Sequence, residues 1–181
     1  MFFLRRSKLE SLPVAMSGVR MGERALQIGV DDPALAGAIA SKVGLSGQAA
    51  IVVSDESSAQ IARGAAAKAG ALVDVHIAPL HSLPITGGAF DLVVLHSMKG
   101  WLASLDTADR TAVLAEALRV LRTGARLIVI ESSRRGPGAG VEALTQGGFK
   151  AARVLAEREG YRFTEGLKPG SDPHTRLDSR P

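Results

Sequence analysis

The chain has 181 residues, enough for one domain with a full hydrophobic core, and no apolar run approaches the ~20 residues of a membrane-spanning helix. It contains no cysteine, which excludes disulfides, thiolate metal ligands and a cysteine nucleophile, and we predict a cytoplasmic protein. The formal net charge of +4 is scattered along the chain and aromatic residues make up 4%, so we expect no dedicated nucleic-acid site.

Residues 1–20 form an N-terminal amphipathic segment ahead of the first predicted strand. Within it, residues 1–12 have the sequence MFFLRRSKLESL, which places apolar residues near one helical face and basic residues elsewhere. We expect this face to pack onto the domain. Contact with a partner protein, or peripheral contact with an anionic membrane surface, is the alternative.

Short apolar runs and helical patterns alternate over residues 24–131, which is typical of a parallel sheet with helices on both faces. Strands are predicted over residues 24–29, 49–54, 72–77, 90–96 and 127–130. Helices are predicted over residues 33–43, 57–69 and 107–122. Asp32 and Pro33 open the first of these helices, and Thr107 caps the last.

The remaining sequence predicts a smaller set of elements. Residues 132–140, SSRRGPGAG, are expected to form a flexible loop, and 141–146 a short helix. Residues 149–157 and 161–168 are predicted to form an antiparallel hairpin around the turn Arg158-Glu159-Gly160. Residues 169–181 have little apolar content, which predicts a disordered tail.

Several motifs occur in a characteristic order in the second half of the chain. Leu83-Pro84-Ile85 precedes FDLVV at residues 90–94, RVLRTGARL follows at residues 119–127, and GGFKAARVLAE…YRFTEGLK closes the pattern. In order and spacing they resemble the class I S-adenosylmethionine-dependent methyltransferases, over about residues 20–168. The resemblance implies a methyltransferase-like domain over residues 21–168, with S-adenosylmethionine as its cofactor.

The same resemblance implies an α/β fold with a doubly wound, mostly parallel seven-stranded sheet. This Rossmann-like methyltransferase fold has the strand order 3-2-1-4-5-7-6, with strand seven antiparallel. In such a sheet the ligand lies at the carboxyl ends of the strands, beside strand one. The loops that follow the first four strands are therefore the places to look for site residues.

The loop after strand one departs from the family pattern. The family has an acidic residue on the strand and three glycines in the loop, which let the backbone approach the cofactor. Here Gly29 matches the first glycine, Asp31 and Pro33 replace the other two, and Gln27 replaces the acid. The resemblance makes Gln27, Gly29, Val30 and Asp31 candidates for cofactor binding. Alternatively, the loop only starts a helix, with an Asp cap and a Pro in the first turn, and contacts no ligand.

The ends of strands two and three carry further candidates. Asp55 stands where the family has an acidic residue that accepts from the ribose hydroxyls, and Glu56 could substitute for it. The alternative is that Asp55 only caps the next helix. After strand three, Pro79 stands where many members have an Asp for the adenine amino group, and His81 could take that contact or simply be solvated.

No motif identifies a catalytic residue, since methyl transfer needs positioning more than an elaborate set of groups. His96, at the end of strand four, is the candidate base and a further cofactor contact, unless it merely terminates the strand. The four histidines lack metal-ligand spacing, so no metal site is expected.

Two functions follow from the resemblance. The first is an S-adenosylmethionine-dependent methyltransferase that acts on a small-molecule acceptor. The alternative is a catalytically inactive methyltransferase-fold protein that serves as a binding or scaffold subunit, which the changed glycine loop would favour. The short N-terminal segment leaves little material to cover an acceptor, so a second subunit of a homodimer could complete the site.

Overall fold

The computed structural model describes residues 11–170, so the predictions for residues 1–10 and for the tail from residue 171 lie outside the described residues. The strands are β1 (Arg24–Ile28), β2 (Gln48–Val53), β3 (Asp74–Ile77), β4 (Phe90–Ser97), β5 (Leu121–Ser132), β6 (Lys150–Arg158) and β7 (Tyr161–Leu167). The helices are α1 (Leu12–Ser17), α2 (Pro33–Val43), α3 (Glu56–Ala69), α4 (Trp101–Ser104), α5 (Thr107–Val120) and α6 (Gly140–Gln146), with a 3₁₀ helix over Ser133–Arg135.

The strands form one seven-stranded sheet, and its order β3-β2-β1-β4-β5-β7-β6 confirms the predicted fold. β1 is parallel to both β2 and β4, and β4 is parallel to β5. β7 is antiparallel to both of its neighbours, with Phe163 paired to Ile130 of β5. The strand order reverses between β1 and β4, which is where ligands bind in open α/β sheets.

Helices cover both faces of the sheet, which is why β4 is an almost continuous apolar run. Val93 and Leu95 belong to the cluster of buried side chains that includes α5. Leu92 and Val94 point the other way and pack in the cluster that includes α1 and α2. Among residues 11–170, no helix has both the length and the apolar character that a membrane crossing requires.

Helix α1 and the turn after it belong to this core. Val14 and Val19 are 4% and 2% exposed and pack with α2. The Arg126 guanidinium on β5 donates to both carboxylate oxygens of Glu23 at 3.1 Å and to the Gly18 carbonyl. The described part of the N-terminal segment, up to residue 20, is therefore packed on the sheet.

Several element boundaries differ from the sequence prediction. Asp106, not Thr107, caps α5, because its carboxylate accepts from the Asp109 amide at 2.8 Å and Thr107 is already helical. β5 starts at Leu121, directly after α5, because Leu121 pairs with Phe90. Residues 123–126, between the predicted helix and the predicted strand, therefore lie within β5, where the pairing with β4 shifts register between Phe90 and Leu92. Helices α1 and α4 were not predicted, and the loop after β5 begins with the 3₁₀ helix.

Gly37 lets α2 and α3 pack backbone against backbone. A Cβ on Gly37 would lie 2.7 Å from the Ala65 carbonyl oxygen and 3.1 Å from the Ala69 Cβ. We expect Gly37→Ala to lower the free energy of unfolding by about 1–3 kcal/mol, although alanine is the better helix former. Urea unfolding monitored by circular dichroism would measure the change.

Gly64, on α3, is the matched control. It has open space around its Cβ position, so Gly64→Ala is expected to raise the free energy of unfolding, by at most about 1 kcal/mol. Equal stability of Gly37→Ala and Gly64→Ala would contradict the close approach of the two helices.

Candidate functional site

A cavity of about 520 Å³ opens at the carboxyl ends of the central strands. The loops after β1, β2, β3 and β4 each contribute to it, and α5 closes one side. Its volume lies within the ~300–1,000 Å³ range of small-molecule sites. The lining residues are Gly29, Val30, Asp31, Val53, Ser54, Ser58, Ile61, Pro79, Leu80, His81, Lys99, Trp101, Leu105, Asp109 and Val113.

Gly29 makes the sharp turn out of β1. Its φ is +84°, and a Cβ there would lie 2.8 Å from the His96 carbonyl oxygen, so a side chain cannot be placed without strain. The Trp101 indole packs against the same position and donates to the His96 carbonyl at 2.9 Å. Gly29 therefore allows the loops after β1 and β4 to meet at the floor of the cavity.

The carboxylates of Asp31 and Asp32 have different hydrogen-bond partners. Asp32 caps α2 by accepting from the amides of Ala34 and Leu35, and Pro33 begins the helix. The Asp31 carboxylate lines the cavity and accepts from the backbone amide of Lys99 at 2.7 Å. The helix start predicted for this loop is thus present, while Asp31 presents a carboxylate to the cavity.

Asp55 caps α3 and lies at the edge of the site. One carboxylate oxygen accepts from the Ser58 amide at 2.8 Å, and the other accepts from the hydroxyls of Ser58 and Ser54. These hydrogen bonds hold the pKa of this exposed carboxyl below its usual range, and the bond from the Ser58 amide has the largest effect. Ser54 and Ser58 line the cavity, whereas Asp55 does not.

Glu56 and His81 differ in their relation to the cavity. Glu56 is exposed, forms an ion pair with Arg63 at 2.9 Å, and does not line the cavity. His81 is exposed at the rim and does line it. Leu80, the neighbour of His81 in the chain, also lines the cavity, and Ile61 and Val113 add to its apolar wall.

Gln27 and His96 are buried behind the cavity and do not line it. Gln27 is 1% exposed, and its side-chain nitrogen donates to the Ala36 carbonyl at 3.0 Å. His96 is fully buried, and neither ring nitrogen has a hydrogen-bond partner among residues 11–170. Burial lowers the pKa of His96, and the charges of Asp31 and Asp32 offset part of that effect.

This burial bears on the prediction that His96 is a base. Successive residues of a strand point to opposite faces, so His96 shares the face of Leu92 and Val94, under the start of α2. The backbone carbonyl of His96 reaches Gly29 and Trp101, but its ring does not line the cavity. The structure therefore gives His96 no direct path to an acceptor.

A family model described as a methyltransferase domain matches residues 30–129, more than half of the chain. The chain belongs to this methyltransferase family. The match begins in the loop after β1 and ends within β5, so it includes the loops from four strands that form the cavity.

Individual relatives agree with this assignment. The chain is 31% identical over 125 residues to the ubiquinone/menaquinone biosynthesis C-methyltransferase of Bordetella parapertussis, an alignment that covers 69% of this chain and 46% of that relative. The chain thus spans about half the length of the curated relatives it matches.

Solved structures show the same fold. A SAM-dependent methyltransferase from Aquifex aeolicus superposes with a TM-score of 0.69 at 18% identity, covering 86% of this chain and 87% of that one. The structure of PigF with SAH superposes with a TM-score of 0.60 at 21% identity, covering 81% of this chain and 50% of that one.

The residues of the first cavity fit an S-adenosylmethionine-sized ligand. The volume is sufficient, the apolar wall beside His81 suits a purine, and the Asp31 carboxylate suits an ammonium group. Pro33 does not line the cavity.

Sequence reasoning missed Trp101, which lines the cavity. It follows a buried parallel strand, so the rule that ligands lie at carboxyl ends of strands could have found it. Sequence reasoning also missed Glu131, at the carboxyl end of β5, which is buried and lines a second cavity beside the first. Among residues 11–170, no group of His, Asp and Glu side chains could hold a metal ion.

Proposed function

We propose that the protein binds S-adenosylmethionine in the 520 Å³ cavity and methylates a small molecule. The observation that carries the proposal is the position of the Asp31 carboxylate. It accepts a hydrogen bond from the Lys99 amide and lines a cavity formed at the ends of four strands. Membership of the methyltransferase family supports it. When bound, the cofactor supplies an electrophilic methyl group, and the protein contributes orientation.

Each part of the cavity offers a different kind of contact. Asp31 is suited to the ammonium group of the methionine moiety, since a charge-assisted hydrogen bond to a carboxylate is strong. Leu80, Ile61 and Val113 provide apolar surface for the adenine, with His81 at its edge. Asp55 stands beside Ser54 and Ser58, where the ribose hydroxyls would come within its reach.

A small acceptor is supported by the second cavity. It has a volume of about 320 Å³ and shares Lys99 with the first cavity. The relative from Bordetella parapertussis is a C-methyltransferase of quinone biosynthesis, which makes a carbon acceptor one candidate for this chain as well.

Binding of S-adenosylhomocysteine, the demethylated product, tests the proposal directly. At 100 times its dissociation constant, such a ligand should raise the stability of the protein by about 2.7 kcal/mol, which a thermal melt detects. Calorimetric titration would give the affinity. A chain that keeps its melting temperature in millimolar S-adenosylhomocysteine would instead fit the non-catalytic alternative.

Asp55 provides a prediction that separates ribose binding from helix capping. We expect Asp55→Asn to weaken S-adenosylhomocysteine binding by about 1.5–3 kcal/mol, the value of hydrogen bonds to a charged group. Asparagine is as good a helix cap as aspartate, so the melting temperature without ligand should change little. Unchanged affinity, measured by calorimetry, would leave Asp55 as a cap only.

A further inference from the structure

The second cavity lies between the loops after β4 and β5. Its lining consists of small and hydroxyl-bearing residues together with three charged side chains. Lys99 stands where this cavity joins the first one, Arg135 lies at the opposite loop, and Glu131 comes from the end of β5. The full lining is Ser97, Lys99, Gly100, Ala103, Ser104, Glu131, Ser132, Arg135 and Gly138.

Glu131 is a buried carboxyl with unused acceptor capacity. It is 2% exposed, and both of its oxygens accept from one protein donor, the Ala139 amide, at 3.0 Å. A carboxylate has about four acceptor positions, so a hydrogen-bond donor from a ligand could still be accommodated. Burial raises the pKa of Glu131, and the Ala139 amide with the charges of Arg162 and Arg110 offsets part of the rise.

Lys99 and Arg135 are cations without a partner in the described part of the chain. Neither side chain forms an ion pair or hydrogen bond with residues 11–170, and both are exposed. Arg119, Arg122 and Arg126 differ in this respect, since each forms an ion pair with a carboxylate. Two unpaired cations beside one cavity favour an anionic ligand.

We propose that the second cavity binds the methyl acceptor and selects small hydroxy acids, whose carboxylate is held by Lys99 and Arg135 and whose hydroxyl donates to Glu131. This inference rests on the proposed methyltransferase function. The cavity volume of about 320 Å³ is near the lower end of small-molecule sites, which fits an acceptor of one ring or a short chain. A basic acceptor would meet two like charges at the same place.

Three probes of similar size test the charge and the hydroxyl separately. The full chain is titrated by calorimetry with 3-hydroxybenzoate, benzoate and benzylamine. We expect 3-hydroxybenzoate to bind more tightly than benzoate, and benzylamine not to bind. Increasing salt should weaken the binding of both acids, since the Debye length falls from about 10 Å at 0.1 M to about 3 Å at 1 M.

The variants assign the effect to residues. Lys99→Met and Arg135→Met should each weaken 3-hydroxybenzoate binding about tenfold or more, the loss expected for a hydrogen bond to a charged group. Glu131→Gln should remove most of the advantage of 3-hydroxybenzoate over benzoate. Arg134→Met is the matched control, because Arg134 is an exposed neighbour that does not line the cavity, and it should bind like the wild type.

S-Adenosylhomocysteine binding to the same preparations distinguishes the two proposals. Arg135→Met and Glu131→Gln should bind it as the wild type does, since neither residue lines the first cavity. Binding of S-adenosylhomocysteine without any binding of 3-hydroxybenzoate would overturn the acceptor site alone. Binding of benzylamine would also overturn the acceptor site. So would an equal loss of hydroxybenzoate affinity in Arg134→Met and Arg135→Met. Binding of 3-hydroxybenzoate that depends on Arg135, without binding of S-adenosylhomocysteine, would overturn only the methyltransferase function.

Discussion

Replacing Asp31 by alanine is expected to weaken S-adenosylhomocysteine binding by about 1.5–3 kcal/mol, or roughly tenfold to more than a hundredfold. Two losses contribute. The carboxylate available to an ammonium group disappears from the cavity, and the Lys99 amide loses the oxygen that holds the loops after β1 and β4 together. Isothermal titration calorimetry on the wild type and the variant measures the change.

Two further variants separate these losses. Asp31→Asn keeps an oxygen for the Lys99 amide but removes the charge, so it should lose affinity with little change in melting temperature. Asp32→Asn removes a neighbouring charge while keeping the helix cap, and it should bind normally because Asp32 does not line the cavity. Tighter binding in Asp31→Asn would mean that the Asp31 carboxylate obstructs the ligand. That result would fit a loop in which Asp31 has replaced a glycine that the ligand needs for close approach.

The fold follows closely from local features of the sequence. An apolar run such as Leu92–Leu95 needs cover on both faces, and alternation with helices makes the sheet parallel. Asp32 and Pro33 fix the start of α2, because a carboxylate cap and a preset φ are sufficient local signals. These predictions hold since each depends on a few neighbouring residues.

The site is harder to predict because it depends on which face a side chain occupies. His96 ends a strand at the correct edge, but the period of two places its ring under α2 and leaves Ser97 on the other face. Glu131 also ends a strand, and there the alternation points the carboxyl into the second cavity. Which helix covers which face is a tertiary property, so the two residues look alike in the sequence.

The buried His96 is expected to make the protein sensitive to acid. The pKa of a histidine in the unfolded chain is about 6.5, and burial lowers it in the folded state. Between these two values the unfolded chain binds more protons, so the free energy of unfolding falls as the pH drops below about 6.5. Above that pH the contribution of His96 to the free energy of unfolding no longer changes. Below both pKa values, each unit of difference between the folded and the unfolded pKa has lowered the free energy of unfolding by about 1.4 kcal/mol.

Substitution of His96 by leucine is expected to remove this part of the pH dependence. The variant should be at least as stable as the wild type at pH 7.5, because two buried ring nitrogens without partners among residues 11–170 are replaced by an apolar side chain. Urea unfolding at pH 5, 6 and 7.5 would show a smaller acid loss in the variant.

Glu131→Gln provides the control of opposite sign. Burial raises the pKa of Glu131 in the folded protein above its unfolded value near 4.5. The contribution of Glu131 to the free energy of unfolding is therefore complete below pH 4.5 and is lost as the pH rises. Removing this carboxyl should therefore increase the net loss of stability on acidification, while glutamine keeps an acceptor for the Ala139 amide. Identical pH profiles for the wild type and His96→Leu would show that the His96 ring is protonated as readily in the folded state as in the unfolded chain.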